Sequence, residues 1–170
     1  HVPGQSFCVV HTVLGFDQAL KKVCLEVQSQ IGLEKLLVNS SGSSIGTELE
    51  TFDIASHAVD VIHRLISPTF SNKPWSRYSQ FTDYMEAKGE QNMAFALKDR
   101  RFGQLCATSA VSIHHWDNLR AFLSSEQSSA RNVLACLVRS VLNSDVTKLL
   151  VLSNAIVGVQ LEEPFLHMLI

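Results

Sequence analysis

Charge is scarce in this chain, and what there is leans acidic. Only 18% of the 170 residues are Asp, Glu, Lys or Arg, with 14 basic side chains against 16 acidic and a formal charge of -2. Tight nucleic-acid binding draws much of its affinity from neutralised phosphates, so the missing basic excess excludes a module that holds DNA by charge alone. A local basic patch survives that argument. Cysteine is sparse too: Cys8, Cys24, Cys106 and Cys136 are scattered, and three of them fall in helical patterns. That spacing argues against a disulfide scaffold and for reduced thiols packing as small hydrophobes in an intracellular protein. The most apolar run, Leu149 to Leu161, is broken by Ser153, Asn154 and Gln160 and is too short to span a bilayer, so no membrane partner is expected. No signal peptide, phosphate loop, Gly-x-Ser-x-Gly elbow or dinucleotide fingerprint occurs. Internal repeats and alternating strand and helix patterns are missing as well.

What the chain does have is helical periodicity and apolar mass, 46% of its residues. The stripe Val9, Val13, Phe16, Leu20, Val23, Val27, Ile31 steps by three and four, which lays one continuous face of a helix against a core. Gly32 ends that helix, a further turn or two covers 33–38, and the Ser/Gly-rich stretch 39–46 is the best linker candidate. Thr47 and Glu50 have capping-box spacing. They would open a helix with Phe52, Ala55, Val59, Ile62 and Ile66 on its core face, stopping before Pro68. Further helices are expected over 76–87, 102–123, 130–142 and 146–161, while 93–97 is open to a short extended piece. The helix over 102–123 is apolar on several sides, which places it centrally. The stripe Val133, Leu134, Leu137, Val138, Val141 should face the core, and 146–161 is apolar all round and should be buried. The fold class is therefore all-α: an irregular bundle of about six to seven helices in a single domain over 1–170. The thin surface charge and the apolar end Pro164 to Ile170 read as a piece of a larger protein, covered by the rest of it or by another protein; the alternative for that end is an apolar tail folding back onto its own core.

Four constellations could carry chemistry. Cys8 and His11, three apart, are half of a zinc site; a closed site needs four ligands, and no second pair has matching spacing. Cys8 packing and His11 making a local hydrogen bond is the simpler reading, and no cofactor is expected unless zinc binds there. His114-His115-Trp116-Asp117 places two histidines about 100° apart on a helix, so one should be buried and the other exposed. Asp53, His57, Asp60 and Arg64 form one row, expected as a solvated face with intrahelical pairs. Finally, Trp75 and Arg77 in Lys73-Pro74-Trp75-Ser76-Arg77, and the cluster Lys98, Arg100, Arg101, mix cations with aromatics as nucleic-acid contacts do.

Phe7-Cys8-Val9-Val10-His11-Thr12 followed by a long helix resembles a segment of hAT-type transposases and the host proteins derived from them. The resemblance covers those residues specifically, and Trp75 is similar to a Trp of that family's insertion domain. It implies a Cys-x-x-His element of a ribonuclease H-like nuclease followed by an all-helical insertion, with DNA as a partner and the nucleus as location. In that family two catalytic carboxylates precede the element and the third follows the insertion. The resemblance thus implies that this chain holds none of them. It departs from the family in having a shorter, less basic helical region and no dimerisation tail. The expectation is a non-catalytic scaffold and interaction domain. The alternatives are a metal-dependent hydrolase using His57, His63, His114 and Asp117, and a nucleic-acid-binding helical module.

Overall fold

A computed structural model describes residues 9–31, 53–94, 104–125 and 132–162. Among them are six α-helices and no strand: α1 Val9–Ile31, α2 Ile54–Ile66, α3 Tyr78–Ala87, α4 Gln104–Ser125, α5 Val133–Leu142 and α6 Asp145–Val157. A 3-10 turn, Pro68–Phe70, follows α2, and a π turn, Gly158–Glu162, follows α6. The fold is all-α, as the periodicity requires.

Helix α2 is the best-specified element. Asp53 caps it, accepting from the Ala55 N–H at 3.0 Å and from the Ser56 hydroxyl. Gln28 of α1 adds a cap from outside the helix, its Oε1 accepting from the Ile54 N–H at 3.1 Å. Two otherwise orphaned N–H groups are thereby satisfied at a buried helix start. Ala55, Val59, Ile62 and Ile66 are buried as the stripe demands, and so are Ile54, Ala58, Val61 and Leu65. The helix is covered nearly all round, with Asp60 and Arg64 exposed. Each buried Ile or Leu contributes about 2 kcal/mol of transfer free energy, and truncating Leu65 to Ala would cost about 2–5 kcal/mol once the cavity is included.

Helix α4 runs through the centre, as its many-sided apolar pattern implies. Trp116, Leu119, Phe122 and Leu123 are buried against Phe81 and Met85 of α3. The Trp116 indole N–H donates to the Leu142 carbonyl at 3.2 Å, satisfying both an indole and the end of α5. α6 lies antiparallel to α4: Lys148 pairs with Asp117 at 3.0 Å near one end, and Gly158 meets Cys106 at the other. A Cβ added at Gly158 would fall inside van der Waals contact of the Cys106 Cβ. Glycine is what lets the two backbones approach there.

Several expectations need correction. Asp53 is not part of a solvated row; it is buried and capping, whereas Asp60 and Arg64 do form an exposed i,i+4 pair at 2.9 Å. The start of α2 lies at Ile54, and Thr47 and Glu50 are outside the described residues. On α1 the buried positions are Cys24 and Gln28, with Leu20 and Val27 partly covered, while Val23 is 55% exposed. The core face is therefore rotated from the apolar stripe because a thiol and an amide occupy its middle. α6 is not buried all round: Leu149, Ile156 and Val159 are exposed. On α5, Val138 and Val141 face the core but Val133 is 84% exposed. Residues 93 and 94 are irregular, and 95–97 fall outside the described residues.

Candidate functional site

The loop after α2 is stapled back onto the helix it leaves. Ser67 caps the 3-10 turn, accepting from the Thr69 N–H. The Arg77 N–H then donates to the Leu65 carbonyl at 2.8 Å, and the Ser76 hydroxyl donates to the same oxygen at 3.4 Å. That oxygen belongs to the last turn of α2, which has no helical partner to offer it. Phe70 sits in the loop with the edge of His63 at 6.3 Å and the Trp75 ring tilted at 5.5 Å. The indole is thus held by packing rather than left to swing.

Asn132 joins this loop to α5. Its Nδ2 donates to the Trp75 carbonyl at 2.8 Å, while its Oδ1 accepts from the Ala135 N–H at 3.2 Å as the N-cap of α5. One buried amide therefore fixes both the loop and the start of the helix. Between them opens a cleft of about 640 Å³. Arg64 of α2 lies on one side, Pro74, Trp75 and Arg77 come from the loop, and Asn132, Val133, Leu134 and Leu137 come from α5. Apolar side chains dominate the lining, and the charged groups among the described lining residues are the two guanidinium groups. Arg64 donates from Nε to Asp60, and Arg77 donates from Nη1 to the Ser76 carbonyl at 3.1 Å.

Of the expected nucleic-acid contacts, Trp75 and Arg77 therefore share this cleft, and Lys98, Arg100 and Arg101 lie outside the described residues. Cys8 lies outside as well. His11 falls in α1, but its side chain is not among those described. Sequence reasoning missed Asn132, Arg64 and Val133 as parts of one surface. An Asn directly before an apolar run is an N-cap signal, and it was available at Asn132.

The histidines do not gather. His114 is exposed and His115 fully buried, as helical geometry requires. His115 Nε2 accepts from the Met93 N–H at 2.9 Å, and its ring meets the Phe81 ring edge-on at 5.5 Å. Burial pulls its pKa down to about 4, the neighbouring His114 adding to the drop and Glu90 opposing it. His57 and His63 are lowered too, chiefly by burial, with Asp60 opposing in both cases and Arg64 reinforcing the effect on His57. Asp117 is engaged by Lys148. Among the described residues no three His, Cys, Asp or Glu side chains come together in a way that could hold a metal ion. No disulfide joins Cys24, Cys106 or Cys136, and burial, reinforced by the Asp53 charge, pushes the Cys24 thiol up to about 11. At neutral pH that thiol is protonated and a poor nucleophile. No helix among the described residues is long and apolar enough to cross a membrane.

No protein-family model, no curated protein and no solved structure matches this chain.

Proposed function

We propose that this chain is a helical interaction module that docks a segment of another polypeptide in the cleft between the Trp75 loop and α5. The observation that carries the reading is Val133, an aliphatic side chain 84% exposed beside Trp75, Leu134 and Leu137. Single exposed apolar residues are ordinary, but a concave cluster with an aromatic anchor is the usual chemistry of a docking site. The two hydrogen bonds of the Asn132 amide and the loop staples pre-organise the wall, which lowers the ordering cost of binding. Protein is favoured over nucleic acid because apolar side chains, Pro74, Trp75, Val133, Leu134 and Leu137, form most of the described lining. Trp75 is also half-buried and tilted against Phe70, which leaves less of its ring for base stacking.

Selection from a random peptide library whose members are free to bind as helices or as extended segments, followed by amide chemical-shift mapping on the chain, tests this. Binders whose perturbations centre on Trp75, Val133 and Leu137 support it. A library that yields no binder at those residues overturns it.

A further inference from the structure

We infer that the cleft takes an acidic amphipathic helix: an apolar face on α5 and Trp75, with carboxylates reaching Arg64 and Arg77. This rests on the docking reading above and names its partner class. The first argument is charge complementarity. The chain as a whole carries a formal charge of -2, yet the charged side chains among the described lining residues are both cationic. A guanidinium presents donors in a planar fork that matches a carboxylate. Arg64 is half exposed, and its ion pair with Asp60 is a surface pair that contributes little by itself. A partner carboxylate can join or replace Asp60 without uncovering a buried charge.

The second argument concerns backbone. Asn132 is the uncharged polar side chain among the described lining residues, and both ends of its amide are committed, one to the Trp75 carbonyl and one to the Ala135 N–H. No strand edge exists among the described residues to pair with an extended peptide. An occupant that buries its backbone here must satisfy its own N–H and C=O groups, and a helix does that internally. Its apolar residues, spaced three and four apart, would cover the exposed face of α5.

The test sequences the peptides selected against the cleft and compares their composition with the unselected library. Enrichment of Asp and Glu is expected, at positions one turn from the apolar anchors. Binding of those peptides should weaken with added salt, and Arg64→Gln should weaken it about fivefold, the upper range for an exposed charge pair. Arg64→Lys should recover part of the loss. Thermal melts of both variants establish that the fold is kept. Peptides that seat in the cleft without acidic enrichment, or that bind equally to R64Q, overturn the acidic helix while leaving the docking reading intact. Selection of extended, non-helical binders overturns it too. Absence of any cleft binder removes both. A duplex oligonucleotide that displaces the peptides would place nucleic acid there and overturn the inference as well.

Discussion

The backbone N–H of Met93 is held by the ring of His115, 22 residues away in sequence, at 2.9 Å. This bond pins the segment after α3 to the central helix. Neighbouring bonds act on the same strap: Asn92 Nδ2 donates to the Ile66 carbonyl at 3.3 Å, and Asn118 Nδ2 donates to Glu90 at 2.8 Å.

Because His115 Nε2 accepts, the bound ring is neutral with its proton on Nδ1. Its pKa of about 4 in the folded chain lies below the 6.5 of the free side chain. The unfolded chain therefore takes up the proton first as pH falls, so stability is intact above 6.5 and is lost between 6.5 and about 4. The loss from this group is about 3 kcal/mol. Urea unfolding measured across that range should show it. His115→Gln keeps an acceptor for Met93 and should flatten the slope, leaving the smaller contributions of His57 and His63.

Gly158→Ala tests the crossing of α4 and α6. In an exposed helix the change would add about 1 kcal/mol of stability. Here the new methyl strikes the Cys106 Cβ, and overpacking costs about 1–3 kcal/mol, so net destabilisation is expected. Pairing it with Cys106→Gly, which removes that Cβ, should give a favourable coupling in a double-mutant cycle. Additive losses would contradict the contact.

Two aspartates about two turns apart on the same helix should differ sharply. Asp53→Ala removes a buried cap with two acceptor bonds and should cost about 1–2 kcal/mol in denaturant unfolding. Asp60→Ala breaks a half-exposed ion pair and should cost less than about 1 kcal/mol. Equal effects would mean that the α2 start is held in another way.

The helices were legible because apolar residues recur at helical spacing: α2 carries a clear stripe, whereas α4 is apolar on several sides and is legible as a central helix rather than by one face. Phase was harder to read. Cys24 and Gln28 sit at the centre of the buried face of α1, yet a stripe drawn through aliphatic residues alone passes over them and includes the exposed Val23. Asp53 continues a polar row, which from sequence alone implies a solvated side chain; its burial follows from Gln28 of a different helix closing over the α2 start. The partial exposure of α5 and α6 was hidden for the same reason. A helical pattern says which residues could be buried, and only the neighbours decide which are. The cleft itself joins Arg64, Trp75 and Val133, residues far apart in sequence, through a loop and an amide that carry no periodicity.

Val133→Asp tests the docking surface most directly. Val133 is almost fully exposed, so the unfolding free energy should stay within about 0.5 kcal/mol of the wild type. A carboxylate there meets the apolar face of an incoming helix, and the affinity of cleft-binding peptides should fall at least about tenfold. An unchanged affinity would contradict the assignment of this cleft, as would a protein that no longer folds.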